Sequence, residues 1–504
     1  MKEDIESLPT DPQRLQQMVL ALQSQVHILT EQNQHLLEQF RLAQQRQFGQ
    51  SAEGHSGQGE LFDEAEVDVD TPEPEKEKIE YERNKPVRKP LPKDLPRIDI
   101  LHDIPEEDKV CGCCGEPMHR MGEECSEKLT FIPAKIEVEV HIRPKYSCRT
   151  CEKTGTEVEI KMAPMPPSPI PKGISTPSLL SQIITNKFQY GLPLYRQESL
   201  FNHHGIELSR QTMSEWVIQC ARLFQVLYAL LRVCLLKQPV IMADETTLKV
   251  IHSDKSRCYM WVYCTGSDAP DDSDIPNIVL YDFQAGRGGQ CAVDFLAGYD
   301  EYLQVDGYAG YHSTQATLVG CWAHARRKFM EAQTAQPKGK TGKANWAINH
   351  IAKLYKIEKQ LKGHSPEEKH RIRQAQSRPL LEAYKDWLDT SVLQVPPSTA
   401  LGKAIQYSLN QWGKLSRYID DGHLSIDNNR AERAVKPFVI GRKNWLFSNT
   451  ANGAQSSAML YSIVETAKAN GLVPYDYIEH CLTVLCQNPD DQALDALLPW
   501  NVKL

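Results

Sequence analysis

The chain has 504 residues, 41% of them hydrophobic, and a formal net charge of −8; that length predicts two to four folding units with apolar content for a sizeable core. No run approaches the roughly 18 consecutive apolar residues of a membrane span. The N-terminus (MKEDIESLPTDPQRL) is polar and acidic and lacks a signal-peptide core, so membrane and secreted proteins are excluded from the expectation and a cytoplasmic one is left. In that compartment the 14 cysteines stay reduced, and close Cys pairs read as metal ligands. The acidic total hides an asymmetry, because residues 1–84 hold 18 Asp or Glu against 7 Lys or Arg. The remainder is net basic, with clusters RNKPVRK (83–89), HARRK (324–328), PKGKTGK (337–343) and GRK (441–443). A nucleic-acid partner needs such clusters rather than a basic sum.

The first predicted element is a coiled coil over residues 11–48. Leu15, Val19, Leu22, Val26, Leu29, Asn33, Leu36 and Phe40 recur in alternating steps of four and three. Leu at every d position, with Val and one Asn among the a positions, favours a parallel two-stranded coil in a fixed register. The alternative is an amphipathic helix packed on its own chain. Residues 50–100 then pass from Gly, Ser and Gln through an acidic tract to a basic, Pro-rich piece, a composition unable to bury a core and read as a linker.

Residues 101–162 carry Cys111-x2-Cys114 and Cys148-x2-Cys151, separated by strand-like sequence. Two thiolate pairs on tight knuckles can close a tetrahedral shell around a structural Zn2+, and a small module gains folding free energy from the metal. Reduced structural thiols are the alternative. Cys113 lies between the first pair, and the two-residue spacing favours Cys111 and Cys114. Four ligands leave no open position for chemistry, so this module is read as a scaffold or DNA contact. RNKPVRK beside it is either a phosphate contact or a solvated tether.

A Pro-rich hinge at 163–173 precedes a helical region, 174–237. A helix over about 195–203, a turn at Gly205 and a second helix capped by Ser209 form a helix-turn-helix candidate. Arg210 and Gln211 lead the second helix, where base or phosphate contacts are made; a plain helical hairpin has the same pattern.

Strand-like runs at 240–243, 258–265, 277–283, 302–305 and 317–321, with a helix-length stretch before the fourth, predict a mixed α/β sheet. Its two parts are 238–329 and 425–485, divided by an α-helical insertion at 330–424 and followed by a tail at 486–504. Asp244 follows VIMA, Asp306 follows YLQV, and Glu432 lies in a predicted helix. Strand side chains alternate, so Val240, Met242 and Asp244 share a face, as do Tyr302, Gln304 and Asp306, while Glu245 faces the other way, in a structural or supporting role with metal binding as the alternative. Carboxylates brought together repel unless a cation compensates them. Hard oxygen ligands suit Mg2+ or Mn2+, and two such ions support an in-line phosphoryl displacement. The ordinary role of single acids at strand ends, as turn formers or helix caps, is the alternative. PKGKTGK departs from P-loop spacing and follows no strand, so no nucleotide site is expected.

MADET (242–246), LQVDGYAGY (303–311), GCWAHARRKF (320–329) and DNNRAERAVKPFVIGRKNWLFSN (427–449) resemble the blocks of the transposases of the insertion sequence 66 family. FGQSAE (48–53) and GLPLYRQE (191–198) fit the same order, and the resemblance covers nearly the whole chain. It implies a ribonuclease-H-like catalytic core with a helical insertion before the last carboxylate. It also implies an Asp-Asp-Glu triad at Asp244, Asp306 and Glu432 that holds Mg2+ or Mn2+. Double-stranded DNA is the implied partner, bound by a homodimer or higher assembly with small accessory proteins of the same element, in a bacterial cytoplasm and nucleoid-associated when on DNA. FGQSAE lacks the basic residue that such proteins place after the glycine, which weakens a local DNA contact. His324, Arg326 and Arg327 are expected to position the scissile phosphate, with a packed His324 beside Trp322 as the alternative. Arg442 and Lys443 are expected phosphate ligands, since a guanidinium fits phosphate oxygens in pairs. The implied function is a DNA transposase that cleaves at the ends of its element and joins the 3′ ends to target DNA. A non-catalytic dimeric DNA-binding regulator derived from a transposase, and a nuclease without strand transfer, are the alternatives.

Overall fold

The computed structural model describes residues 11–48, 113, 116, 136–147 and 160–504, apart from 256, 271–274 and 336–341. The predicted linker at 50–100 and the four cysteines Cys111, Cys114, Cys148 and Cys151 lie outside the described residues. The chain divides into two compact units, one of residues 72–165 and one of 1–71 with 166–504. In the smaller unit, β1 (Lys145–Ser147) and β2 (Ile160–Met162) pair antiparallel with Tyr146 opposite Lys161. Arg143 donates to the Ala163 carbonyl at 3.1 Å beside them.

The larger unit begins with α1 (Pro12–Phe48), a continuous helix of 37 residues. Its stripe residues Val19, Leu22, Leu29, Leu36 and Phe40 are exposed. Near its end Arg41 donates to the Ala335 carbonyl at 2.8 Å.

Four helices follow: α2 (Pro177–Phe188), α3 (Leu194–His203), α4 (Arg210–Leu223) and α5 (Gln225–Leu235). Their starts obey local chemistry. The Thr176 hydroxyl accepts from Leu179 N–H ahead of Pro177, and the Ser209 hydroxyl accepts from Thr212 N–H at 3.1 Å, each satisfying a donor the helix itself leaves orphaned. Between α3 and α4 the chain reverses at Gly205, whose φ of +75° is open to glycine without strain. Leu180, Ile183, Met213, Trp216, Leu227 and Leu231 are buried in the same core as the sheet, so residues 174–237 are built onto the core of the sheet rather than around one of their own.

The main sheet contains β3 (Val240–Leu248), β5 (Cys258–Thr265), β6 (Ile278–Gln284), β7 (Tyr302–Gln304) and β8 (Thr317–Val319) in the order β6-β5-β3-β7-β8. β5 runs antiparallel to both its neighbours, β3 and β6, whereas β7 and β8 run parallel to β3. Helix α6 (Gly289–Phe295) makes the crossover from β6 to β7. A separate parallel pair joins β4 (Val250–His252) to β9 (Ser448–Thr450).

Helix α7 (Trp322–Ala335) follows β8 and leads into α8 (Lys343–Gln360), α9 (Pro366–Ile372), α10 (Arg378–Val392) and α11 (Ala400–Asn410). These helices share a second core of Trp322, Phe329, Ile351, Leu354, Tyr384 and Tyr418. Arg373 is fully buried there. It pairs with Glu358 at 2.6 Å and donates to the carbonyls of Tyr418, Asp421 and Leu424, so its charge is neutralised and its donors are used, as burial demands.

The chain then returns as α12 (Asn429–Trp445), α13 (Ala451–Ala469), α14 (Pro474–Leu485) and α15 (Asp491–Ala496). Helix α13 covers the edge strand β6. Ser462 and Thr466 hydroxyls accept from Tyr281 N–H at 2.8 Å and Val279 N–H at 3.1 Å, which blocks that edge from pairing elsewhere. The C-terminal residues pack as well, with Leu497 and Leu498 buried and the Leu497 carbonyl accepting from the Tyr477 hydroxyl. Among the described residues no single helix is long and apolar enough to cross a membrane.

Candidate active site

The register of β3 and β7 sets two of the three predicted carboxylates side by side. Met242 pairs with Gln304 across the parallel strands, and Asp244 and Asp306 each come two residues later. Asp306 is where β7 gives way to a loop, and its carboxylate accepts from Tyr308 N–H at 2.8 Å. Tyr407, at the end of α11, lies where a side chain on Gly307 would stand: a Cβ there would come within 3.0 Å of the ring.

Glu432 is brought to the same sheet edge by the segment that enters α12. Gln304 donates to the Ser425 carbonyl at 2.6 Å, Trp322 N–H donates to Ile426 O at 3.1 Å, and the Tyr355 hydroxyl donates to Asp427 at 3.0 Å. Asn428 donates to Ala243 O at 2.8 Å, one residue before Asp244, while its own N–H donates to Cys321 Sγ at 3.2 Å. Glu432 therefore sits in the first turn of α12, where the helix dipole favours a negative charge.

Burial and like charge perturb two of the three acids, Asp244 and Glu432. Burial raises the Asp244 carboxyl well above the ordinary range, and Glu245, Asp306 and Glu432 push it in the same direction. Burial likewise raises Glu432, with Arg327 opposing. One Glu432 oxygen, Oε1, is buried without a hydrogen-bond partner. An all-oxygen, mutually repelling, partly desolvated set fits a hard divalent cation, which would relieve the repulsion and occupy the orphaned oxygen.

Around Glu432 stand His324, with Nδ1 3.4 Å from Oε1, and Arg327, with Nη2 3.6 Å from Oε2. Burial and then Arg327 lower the His324 pKa, which favours the neutral imidazole. Arg326, predicted as a phosphate contact with them, is only 5% exposed. One turn of helix carries three basic side chains in different directions, and position 326 faces the core, so the structure corrects that expectation. Arg442 is corrected in part. Its guanidinium donates to Thr246 and Thr247 of β3 and so ties α12 to the strand that carries Asp244, whereas Lys443 is exposed. Arg210 and Gln211 are exposed at the start of α4, whose following turns bury Met213, Trp216 and Val217.

Glu245 occupies the other face of β3, paired with Trp261 of β5. Its side chain is 2% exposed and meets Arg287 at 2.5 Å and the Tyr311 hydroxyl at 2.6 Å. Arg287 in turn lies 3.8 Å over the Tyr308 ring. The residue after Asp244 thus grips the loop after Asp306. Sequence reasoning passed over Arg287, Tyr311, Cys321 and Asn428. Tyr311, Cys321 and Asn428 lie inside the family-like blocks, whereas Arg287, in a glycine-rich loop, carried no signal.

In class, this is an α/β protein whose clustered carboxylates, with Arg327 and His324 beside them, form a candidate divalent-metal centre. Residues 172–456 match the family described as "Transposase IS66 family", residues 108–152 the "zinc-finger binding domain of transposase IS66", residues 35–100 "Transposase C of IS166 homeodomain" and residues 462–500 the "IS66 C-terminal element". The chain belongs to the IS66 transposase family. It is 34% identical to the uncharacterized protein y4jD of Sinorhizobium fredii over 82% of this chain and 81% of that one. It is 32% identical to the uncharacterized protein y4qI of the same organism, over 83% and 79%. No solved structure matches the chain. The zinc-finger match supports a structural zinc in the segment that holds the two Cys pairs.

Proposed function

We propose that the protein is an Asp-Asp-Glu transposase that cleaves DNA at the ends of its element and joins the freed 3′ ends to target DNA. The observation that carries this reading is the convergence of Asp244 and Asp306, in register on adjacent strands, with Glu432, whose charge is felt at Asp244. The strand order β6-β5-β3-β7-β8, with three antiparallel strands followed by two parallel ones, supports a ribonuclease-H-like core. Divalent ions held there, Mg2+ or Mn2+, supply activation of the attacking oxygen and charge neutralisation at the leaving one. Arg327 holds Glu432 in place and offers a cation to a phosphodiester, and Lys443, Arg210 and Gln211 present further polar contacts to the duplex. Cys111, Cys114, Cys148 and Cys151 hold the structural zinc, and α1 pairs with a second copy to make at least a dimer.

The test uses the full-length protein, a duplex from the DNA that flanks the gene, and a plasmid target. Mg2+-dependent cutting and joined product are expected, both lost by ~100-fold or more in Asp244→Asn, Asp306→Asn and Glu432→Gln proteins that still fold and bind DNA. Undiminished cutting by all three variants would overturn the assignment. Cutting without joined product would reduce the protein to a nuclease, and binding without cutting to a regulator.

A further inference from the structure

Cys321 is absent from the reading above, yet it closes a second donor set on Glu432. Cys321 Sγ, a His324 ring nitrogen and a Glu432 carboxylate oxygen all lie within 4.8 Å of one another. Two of these groups are unspent: His324 Nδ1 and Glu432 Oε1 are both buried without a hydrogen-bond partner, and Glu432 itself is 6% exposed. A buried polar atom left in this state costs free energy unless something occupies it.

One separation in the set matches that of two ligands on one ion. Tetrahedral Zn2+ with Zn–N and Zn–O bonds of about 2.0–2.1 Å places those two ligand atoms about 3.3 Å apart. The observed Nδ1 to Oε1 separation is 3.4 Å. Cys321 and His324 are three residues apart where α7 begins, so they rise on one side of its first turn. The Asn428 N–H directed at Cys321 Sγ is a donor suited to a thiolate. Arg327 attends the other carboxylate oxygen, Oε2, and leaves Oε1 to this set.

We propose that Cys321, His324 and Glu432 form a site for a thiophilic divalent ion of the Zn2+ class, with one coordination position open. One sulfur, one nitrogen and one oxygen select such an ion over Mg2+, which takes oxygen and water and dehydrates reluctantly. Because Glu432 belongs to both sets, the two ions compete for it. On the proposed transposase reading, Zn2+ bound here withdraws the third carboxylate and inhibits cutting.

Binding is tested first, on full-length protein without DNA. Zinc per chain after equilibration with Zn2+ and removal of the excess is expected to be one ion higher in the wild type than in Cys321→Ser or His324→Gln. Competition with a chromophoric chelator is expected to show the second site weakened by at least about tenfold in each variant. His324 is partly exposed, so His324→Gln decides the matter if Cys321→Ser does not fold. Equal zinc content and affinity in wild type and variants overturns the site. Inhibition is tested second, as the ratio of Mg2+-supported cutting with and without micromolar Zn2+. That ratio is expected to fall at least tenfold in wild type and to stay near one in Cys321→Ser; an equal fall in both overturns the inhibition. Absence of cutting in every protein would sink the transposase reading and leave the zinc measurement standing.

Discussion

The carboxamide of Asn428 donates to the carbonyl of Ala243 at 2.8 Å, across 185 positions of sequence. It ties the lead-in of α12 to the strand residue beside Asp244, and both partners are buried. Asn428→Ala is expected to cost about 1 kcal/mol of stability, the net worth of such a bond. Cutting is expected to fall further than that, because Glu432 loses its reference to β3. A thermal melt paired with a cleavage assay, run where the variant is fully folded, checks both; full activity in Asn428→Ala would show that the tether does not place Glu432.

Asp244 predicts a pH dependence with a definite sign. Its ordinary pKa is 3.8, and burial, reinforced by Glu245, raises the folded value well above that. Between the two values the folded state keeps a proton that the unfolded chain has released. The stability due to this group is therefore whole below about pH 3.8 and is lost as pH rises through the folded pKa. In Mg2+-free buffer the wild type is expected to lose stability relative to Asp244→Asn across that window. Mg2+ at a hundredfold excess over Kd is expected to restore about 2.7 kcal/mol at neutral pH. Parallel stability curves for the two proteins would contradict the shift.

Tyr311 donates to Glu245, a charge-assisted bond in a nearly dry setting. Tyr311→Phe is expected to lower stability by about 1.5–3 kcal/mol and to slow cutting, since the loop from Asp306 to Tyr311 is released from β3. Urea denaturation gives the first number and single-turnover cleavage the second. Unchanged single-turnover rates would make Glu245 a purely structural acid.

The exposed stripe on α1 predicts a dimer in solution. Each Leu→Ala change at positions 22, 29 or 36 is expected to cost the coil about 2–5 kcal/mol if the residue is buried against a partner. The triple variant should run as a monomer in light scattering. A wild type that is monomeric at micromolar concentration would refute the pairing.

Much of the sheet was legible. The aromatic, β-branched run CYMWVYCT became β5 over the predicted residues, and Ser209 and Gly205 marked the turn between α3 and α4 because a cap and a positive φ are local facts. What escaped was non-local. β3 runs five residues beyond its predicted end at Ala243, because pairing with β5 continues to Leu248 opposite Cys258. β4 and β9 are three-residue strands whose pairing across about 200 residues leaves no periodicity. Composition marked HARRK as basic but could not say that Arg326 turns inward while Arg327 reaches Glu432. Cys321 was one thiol among many until the fold brought Glu432 to it and His324.

The helical insertion starts and stops at neighbouring points, for Trp322 N–H and Ile426 O are bonded to each other. About a hundred residues leave the sheet and come back to the place they left, and closing such an excursion depends only logarithmically on its length, about 0.6 kcal/mol per doubling. Natural variation can therefore lengthen, trim or exchange this excursion while the acids it interrupts keep their spacing. On the proposed transposase reading, reach over DNA is then free to evolve apart from the metal site.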